Sequence, residues 1–492
     1  MRANTTTTFL FLLILVNQFQ SQTAEVPEIE WQRTFGKKKY NYNVKANSIQ
    51  QTNDGGYIVI GEARYDLPFS YGYAAWIIKL NKTGVVQWEN EYNIHYLSKS
   101  AQDVQQTNDG GFIIVGYVFT SQEGGGGSPI GAWILKLDKD GNLVWEKKYD
   151  GRFGMTIWQS SDGGFIIGGV DLFNDKGWIL KVDENGKLKW EKIDGSTIYS
   201  IQETKDGGII AGGHKSRDPW AIKLDNSGEK EWEVVVKSDS FNIIYSLMQT
   251  SDEGYILSGT SPVFPENGEP HWDASILKLD KSGNIEWEKI YGGSESERAN
   301  SIEQTSDGGY IVAVSTKSLD GDVKGNYGGE DFWIMKLDDD GDMVWQQNYG
   351  GSDSDIPHSI HETNDGGFIV AGETLSSDGD VDKDEGYPSF WIVKLTPIAS
   401  SINENSTIIN SSINPNPVND EINISYKLEK AGKVSIDIVD LQGNVVLSII
   451  TNNMQVIGEY SRSEDVSSLG SGVYFLRITN EDSSSQTKFV IE

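Results

Sequence analysis

Two acidic segments contain the residues of this chain that are best suited to bind a metal ion. Aspartates occupy alternate positions in Asp320-Gly321-Asp322 and again in the segment 378–384. Carboxylates spaced in this way can turn toward one point, and Ca²⁺ takes about six to eight oxygen ligands. The segments lack the glycine and glutamate positions of an EF-hand, so solvated acidic turns remain an alternative to Ca²⁺ sites. The candidate ligands are Asp320, Asp322, Asp378, Asp380, Asp382 and Asp384.

Aromatic residues in segments of variable length are the candidates for ligand contact. They are Tyr65, Phe69, Tyr71, Tyr73 and Trp272. Exposed rings can stack on a glycan or contact a protein partner, although anchoring of the loops explains them equally well. His358 and His361 fall three apart in a predicted strand, where they would point to opposite faces and could not share a metal. No Gly-x-Ser-x-Gly or His-Glu-x-x-His motif is present.

A recurring phrase indicates the scaffold that positions these residues. It consists of a Trp-Ile-x-Lys-Leu strand, an Asp-x-x-Gly turn and a second strand with a tryptophan. Its copies begin at Trp76, Trp133, Trp178, Trp220, Ser275 and Trp333. The seventh copy, Trp391–Leu395, stops before its turn, and the missing half stands at the start of the chain in the segment 28–36, around Trp31. A closed ring explains this split, because the first strand can then complete the last sheet.

Each unit also contains an Asp-Gly-Gly turn, beginning at Asp54 in the first copy, and four short strand-like stretches. In the sixth unit these are Asn300–Gln304, Tyr310–Val314, Phe332–Leu337 and Met343–Gln347. Both tight turns suit antiparallel hairpins. The sequence therefore predicts an all-β fold over residues 25–395: a seven-bladed β-propeller with four antiparallel strands per blade, whose last blade is closed by the N-terminal strand.

Composition limits the compartment and the partners. Residues 1–24 have the pattern of a signal peptide, with Arg2 before a short apolar run, and no later segment is long enough to form a transmembrane helix. The chain has no cysteine, which excludes disulfides, thiolate metal sites and a cysteine nucleophile. A formal net charge of −31 argues against nucleic acid and favours cations or neutral and basic partners.

The end of the chain has a different pattern. Residues 396–413 are rich in serine and asparagine and are expected to form a linker. Residues 414–492 contain Pro-Asn-Pro, Asp440-Leu441-Gln442-Gly443, Gly472-Val473-Tyr474 and a final Lys488-Phe489-Val490. The predicted strands are Glu421–Leu428, Val434–Asp440, Asn444–Ile450, Gly472–Thr479 and Lys488–Ile491.

This order of motifs resembles the type A C-terminal sorting domain of the type IX secretion system of Bacteroidetes. The resemblance implies a small β-sandwich that is recognised by the type IX secretion machinery. It also implies passage through the periplasm, followed by release or by attachment at the outer cell surface. An ordinary fibronectin-like module is the alternative.

The expected function follows from the variable connections. The two tight turns share one face of the ring, and the connection after the second strand of each unit, which varies in length, lies on the other face. Loop variation on a uniform scaffold is typical of a binding face. We therefore expect an exported, non-catalytic binding or adhesion module for an extracellular glycan or protein. A secreted polysaccharide-degrading enzyme that uses the loop carboxylates, or a purely structural surface protein, are the alternatives.

Overall fold

The chain folds into β-strands joined by turns. The structure is a computed structural model that describes residues 26–37, 42–67, 70–92, 97–120, 129–174, 176–195, 197–237, 243–265, 269–382, 387–397, 408–414, 417–418, 420–428, 432–440, 444–480 and 483–491. These residues form two compact units, one up to Ile398 and one from Ala399 onward. Within these ranges there is no helix that could cross a membrane. The predicted all-β fold is confirmed; the predicted signal peptide, residues 1–24, lies outside the described residues.

The first unit consists of repeated four-stranded antiparallel sheets, seven of them among the described residues. The N-terminal strand is β1 (Ile29–Phe35). Sheet 1 contains β2 (Tyr42–Gln51), β3 (Tyr57–Leu67), β4 (Ser70–Leu80) and β5 (Val86–Tyr92). Sheet 2 contains β6 (Leu97–Gln106), β7 (Phe112–Thr120), β8 (Pro129–Leu137) and β9 (Leu143–Asp150). Sheet 3 contains β10 (Arg152–Gln159), β11 (Phe165–Asp171), β12 (Lys176–Val182) and β13 (Leu188–Ile193).

The remaining sheets of this unit follow the same order. Sheet 4 contains β14 (Thr197–Glu203), β15 (Ile209–Lys215), β16 (Asp218–Leu224) and β17 (Lys230–Val235). Sheet 5 contains β18 (Ile244–Gln249), β19 (Tyr255–Val263), β20 (His271–Leu279) and β21 (Ile285–Tyr291). Sheet 6 contains β22 (Glu297–Gln304), β23 (Tyr310–Thr316), β24 (Asp331–Leu337) and β25 (Met343–Tyr349). Sheet 7 contains β26 (Asp355–Glu362), β27 (Phe368–Thr374) and β28 (Ser389–Leu395), and its fourth strand is β1.

Sheet 7 is assembled from both ends of the unit. β1 pairs antiparallel with β28, with Thr34 opposite Trp391 and Phe35 opposite Phe390. Trp391 Nε1 donates to Gln32 Oε1 at 2.7 Å. In sheet 1 the equivalent bond joins Trp76 to Glu89 within one continuous hairpin. The predicted pairing of the Trp31 segment with the Trp391 strand is therefore confirmed.

The two tight turns of each unit depend on glycines with positive φ. In sheet 1, Gly55 of Asp-Gly-Gly has φ +77° and Gly84 of Asn-x-x-Gly has φ +76°. The first of these positions is occupied by Glu253 in sheet 5, with φ 68°. A side chain in this left-handed region costs about 1–2 kcal/mol, which explains the preference for glycine at the equivalent turns.

The lysine of each Trp-Ile-x-Lys-Leu strand joins two neighbouring hairpins of its sheet. Its side chain is buried, and its Nζ lies 2.8–3.5 Å from the aspartate of the Asp-Gly-Gly turn. In sheet 1, Lys79 Nζ also donates to the carbonyl oxygen of Leu80 at 3.0 Å. Burial of an amine is tolerated here because a carboxylate and a carbonyl receive its protons. This ion pair is repeated in all seven sheets and holds the Asp-Gly-Gly turn against the third strand of each.

Neighbouring sheets pack through aromatic pairs. The fourth-strand tryptophan of one sheet contacts the first residue of the second strand in the next sheet. The ring centroids are 5.4–6.1 Å apart in the pairs Trp88–Phe112, Trp145–Phe165, Trp232–Tyr255, Trp287–Tyr310, Trp345–Phe368 and Trp31–Tyr57. The last pair runs from sheet 7 to sheet 1. The first and last sheets therefore share one hydrophobic cluster, in which Trp76 meets Phe390.

A second set of contacts links the same neighbours by hydrogen bonds. The last residue of every first strand accepts the backbone N–H of the Asp-Gly-Gly turn in the preceding sheet, at 2.6–2.9 Å. The acceptors are Gln51, Gln106, Gln159, Glu203, Gln249, Gln304 and Glu362. Gln51 of sheet 1 accepts from Asn364 of sheet 7. One pattern of polar contact thus runs from each sheet to the next and from the seventh to the first.

The second unit is a pair of small antiparallel sheets. One contains β29 (Ile408–Asn414), β30 (Glu421–Leu428) and β33 (Gly458–Asp465); the other contains β31 (Gly432–Val439), β32 (Val445–Gln455), β34 (Gly472–Asn480) and β35 (Ser483–Ile491). Ile422, Ile436 and Phe489 belong to one hydrophobic cluster that both sheets share. β29 begins inside the segment 396–413 that was expected to be a linker, because Ile413 and its neighbours pair with β30.

Candidate binding site

A β-bulge in the first strand of each sheet turns one residue toward a common cavity. In β2 the register shifts between Ala46 and Ser48, and the same shift recurs in the first strand of the six other sheets. A bulge leaves one residue unpaired and re-aims its side chain. The bulged residues are Asn47, Gln102, Met155, Tyr199, Tyr245, Asn300 and His358, and all of them line a cavity of about 410 Å³. The first strands of all seven sheets therefore line one common cavity with polar and apolar walls.

The two histidines of β26 illustrate the effect of the bulge. His358 and His361 both line the cavity. The prediction that they point to opposite faces is wrong, because the register shift between Pro357 and Ser359 adds a residue to the strand and moves the alternation by one. Trp158 also lines the cavity, from β10.

Asp103 is the most strongly hydrogen-bonded carboxylate of the cavity wall. It accepts hydrogen bonds from Ser48 Oγ and Thr156 Oγ1 at 3.1 and 3.2 Å, and from the backbone N–H groups of Ile157 and Val104. Burial raises the pKa of Asp103, and the four hydrogen bonds oppose that rise. Since its partners belong to sheets 1 and 3 as well as to its own sheet 2, Asp103 links three sheets.

Glu303 and His361 form a polar pair at another point of the wall. His361 Nδ1 lies 2.5 Å from Glu303 Oε2, and its Nε2 lies 3.4 Å from Ser359 Oγ. Burial opposes ionisation of the imidazole, but Glu303 outweighs it and raises the pKa of His361. Ser359 Oγ also accepts the backbone N–H of Ile49 at 3.3 Å. Ser301 Oγ accepts the backbone N–H of Ile360 in the same way, so each of these two serine hydroxyls joins neighbouring sheets.

A smaller pocket of about 190 Å³ opens between sheets 5 and 6, and Trp272 lines it. Tyr245 lines both this pocket and the central cavity. The guanidinium of Arg298 lies 5.7 Å from the Tyr245 ring centroid, and Glu330 completes the charged lining. Trp272 keeps 42% of its surface exposed. Glu297 also lines the pocket, which thus offers an aromatic surface beside one cation and two carboxylates.

The other predicted aromatic contacts lie in sheet 1, which is not a neighbour of sheet 5. Tyr65 packs against the hydrophobic cluster shared by sheets 1 and 7, and the Tyr73 ring centroid lies 5.5 Å from that of Phe119, with the two ring planes tilted by 56°. Tyr71 is opposite Asp66 in the β3–β4 ladder. Phe69 lies outside the described residues. The structure therefore does not bring Trp272 together with Tyr65 or Tyr73.

The acidic segments contact the glycine-rich crossovers between sheets. Asp320 Oδ1 accepts the N–H of Ser294 at 2.8 Å, and Asp378 Oδ1 accepts the N–H of Ser352 at 2.7 Å, which lowers the pKa of Asp378. Asp322 and Asp380 accept the N–H groups of the crossovers 292–293 and 350–351, at 3.1 and 3.3 Å. The backbone N–H of Asp382 donates to Gln32. Asp384 lies outside the described residues.

In the described part of the chain, no three His, Asp or Glu side chains surround one point closely enough to hold a metal ion in their present positions. The predicted loop sites are therefore not preformed among those residues. Sequence reasoning did not identify Asp103, Glu303 and Tyr245 as wall residues. The sequence does contain a signal for the first strands. The last four residues of each first strand are a small or acidic residue, an apolar residue and two larger side chains, as in Ser301–Gln304 and Asp103–Gln106.

Comparison with known proteins identifies the end of the chain. Residues 412–492 match the family described as secretion system C-terminal sorting domain. This segment is a type IX sorting domain, and the protein is exported by that system to the outer surface or the medium. The resemblance inferred from the Pro-Asn-Pro, Gly-Val-Tyr and Lys-Phe-Val motifs, and the predicted localisation, are confirmed. The comparison with curated proteins gives no match.

Solved structures give weaker likenesses. A protein of unknown function from Bacteroides caccae is 13% identical with a TM-score of 0.36, covering 53% of this chain and 93% of its own. A fungal alcohol oxidase of the AA5 family, in complex with copper, is 12% identical with a TM-score of 0.43, covering 95% of this chain and 100% of its own. The Dos1 propeller is also 12% identical with a TM-score of 0.43, covering 75% of this chain and 95% of its own. Likenesses at this level carry no argument about function.

Proposed function

We propose that the seven sheets are the blades of a closed seven-bladed β-propeller and that this propeller is a non-catalytic binding or adhesion module at the outer cell surface. Its ligand is an extracellular glycan or protein. The N-terminal strand in sheet 7 and the uniform contacts between successive sheets support the closed ring. Closure ties the two ends of the first unit together and gives a protein without disulfides a rigid frame for its loops. The sorting domain accounts for delivery to the surface.

The pocket lined by Trp272, Tyr245 and Arg298 is the observation on which the binding function depends. Aromatic faces stack on the apolar side of sugar rings, and Arg298 and Glu330 can hydrogen-bond to hydroxyl groups. The pocket lies on the side of the variable connections and adjoins the central cavity through Tyr245. A net charge of −31 disfavours polyanionic ligands, so a neutral or basic ligand fits best.

Replacing the aromatic surface tests this function. The mature chain and its Trp272→Ala variant are screened against a panel of neutral polysaccharides and surface proteins, and affinity is measured for each hit. Loss of a stacking contact worth about 1.5 kcal/mol weakens binding roughly tenfold. Phe264→Ala is the matched control, because Phe264 is an exposed aromatic (62%) of the same connection that does not line the pocket. Equal affinities for wild type and Trp272→Ala would remove the pocket from the function.

The enzyme alternative is tested with the same panel. Glycosidases use two carboxyl groups on either side of the bond, and acidic side chains crowd the crossovers beside this pocket. Binding without product is the result expected of a binding module. Release of reducing ends that disappears in Asp322→Asn or Asp380→Asn would instead establish polysaccharide cleavage, and absence of any ligand would favour a purely structural surface protein.

A further inference from the structure

Two equivalent groups of three carboxylates surround the crossovers into sheets 6 and 7. The Gly292 group consists of Asp273, Glu297 and Asp322, and the Gly350 group consists of Asp331, Asp355 and Asp380. In each group the first residue comes from the third strand of one sheet and the second begins the first strand of the next sheet. The third follows that next sheet's second strand. The same arrangement is therefore built twice by two successive repeats.

The oxygens of each group converge on a glycine. Asp331 Oδ1 and Asp355 Oδ2 lie within 3.0 Å of the position that a Cβ atom on Gly350 would occupy. Asp273 Oδ1 and Glu297 Oε2 lie within 2.6 Å of the corresponding position on Gly292. The third carboxylate accepts the N–H of the same glycine, from Gly350 to Asp380 and from Gly292 to Asp322. Only glycine fits here, because any side chain would displace the carboxylates.

Part of this negative charge is buried without a partner. Asp331 and Asp355 are fully buried, yet Oδ1 of each has no hydrogen-bond partner. In the Gly292 group the unpartnered atom is Asp273 Oδ1, which faces His271 Nε2 at 3.5 Å. Such carboxylates are unfavourable as anions unless a cation joins them.

Acidic side chains at other junctions between sheets have cationic partners in the chain itself. Asp218 occupies in sheet 4 the position of Asp331 in sheet 6, and it pairs with Lys237 at 3.1 Å. Asp171 of sheet 3 lies 3.5 Å from Arg152. Across the part of the chain that the structure describes, neither lysine nor arginine pairs with a member of the Gly292 or Gly350 group. The charge at the Gly350 junction is thus left for an external cation, whereas at the Gly292 junction His271 is a further partner of Asp273 when its imidazole is protonated.

We propose that the Gly292 and Gly350 groups each bind one divalent cation of the Ca²⁺ class. Hard oxygen donors and a net charge of about −3 per group suit Ca²⁺, which the extracellular location supplies. Their carboxylates turn toward the ion from their present positions, joining sheet 5 to 6 and sheet 6 to 7. Asp322 and Asp380 belong to the acidic segments; the other four ligands were not among the predicted ones. Glu297 also lines the pocket proposed to bind the glycan or protein, so the Gly292 site adjoins that pocket, whereas no member of the Gly350 group lines it.

Calcium titration of the mature chain tests the proposal. Protein freed of divalent ions with EDTA is titrated with CaCl₂ by calorimetry, and its melting temperature is recorded with and without Ca²⁺. Two ions bind per chain, and Ca²⁺ raises the melting temperature. Asp273→Asn and Asp331→Asn each reduce the stoichiometry to one, and the double variant binds none. Without Ca²⁺, Asp331→Asn melts no lower than the wild type, because it removes repulsion.

Asp218→Asn is the matched control, because Asp218 occupies the strand position of Asp331 but already pairs with Lys237. This variant should still bind two ions. Asp382→Asn also retains both, because Asp382 lies in the exposed part of the acidic segment. Absence of heat and of a thermal shift in the wild type would overturn the proposal. The proposal would also be overturned if the double variant still bound two ions, or if Asp382→Asn alone abolished binding. A lower melting temperature of ion-free Asp331→Asn than of the ion-free wild type would overturn it as well.

Discussion

Replacing Trp31 by alanine measures how strongly the N-terminal strand holds the first unit together. Trp31 lies on β1, and its ring packs 5.5 Å from Tyr57 of sheet 1 and under the guanidinium of Arg33 at 5.6 Å. A fully buried tryptophan costs about 3–5 kcal/mol when truncated to alanine. Trp31 is half-buried. If β1 is an integral strand of sheet 7 and contacts sheet 1 as the fourth strands of the other sheets contact their neighbours, we expect Trp31→Ala to lower the free energy of unfolding by about 2 kcal/mol.

Trp145→Ala is the matched control for this prediction. Trp145 is the equivalent half-buried residue of sheet 2, and its ring lies 6.0 Å from Phe165 of sheet 3, within an uninterrupted part of the chain. Equilibrium unfolding in guanidinium, followed by far-UV circular dichroism, gives the free energy of unfolding of each variant. The two substitutions should cost the same within about 0.5 kcal/mol. An unchanged Trp31→Ala midpoint beside a destabilised Trp145→Ala would refute the role of β1 in joining the two ends.

Two further predictions concern the repeated turns. Glu253 has a φ of 68° at the position that glycine occupies in the equivalent turns, so Glu253→Gly should stabilise the protein by about 1 kcal/mol. Gly207→Ala is the opposite change at a position where φ is 78° and no atom lies near the added Cβ, and it should destabilise the protein. A lower denaturation midpoint for Glu253→Gly than for the wild type would contradict the argument. Hydrogen bonds and neighbouring lysines overcome partial burial and lower the pKa of Asp109, Asp162 and Asp252 to about 2. Because these folded-state pKa values lie below the unfolded value of about 4, the aspartates contribute stability above pH 4 that is lost as the pH falls through 2. Melting temperatures between pH 5 and 2 should therefore fall, less steeply in Asp252→Asn, and identical slopes for that variant and the wild type would contradict the assignment.

Much of the fold could be predicted from local patterns. Six of the seven Trp-Ile-x-Lys-Leu positions keep their tryptophan, and the Asp-x-x-Gly and Asp-Gly-Gly turns require a positive φ that few residues other than glycine adopt. Strand and turn chemistry therefore fixes four strands per unit. The split repeat predicted the pairing of β1 with β28, because a half-sheet at each end can only be completed by the other. The sorting domain was identified in the same way, from motifs close together in the chain.

The candidate sites were less predictable, because they depend on atoms far apart in the sequence. Strand alternation predicted that His358 and His361 point to opposite faces of the strand. A bulge between them, which could not be predicted from the sequence, lets both line the cavity. The Gly350 group joins Asp331, Asp355 and Asp380 from three separate elements, and only Asp380 lay in a recognisable acidic segment.

The amino-acid sequence by itself determined the repeat, the turn types, the pairing of the two ends and the route of export, since each follows from residue types at fixed short spacings. The tertiary structure alone decided which carboxylates are buried without a partner and which aromatic rings share a pocket. Burial and proximity between sheets depend on the register of strands and on bulges, and these are set by the packing of the whole unit.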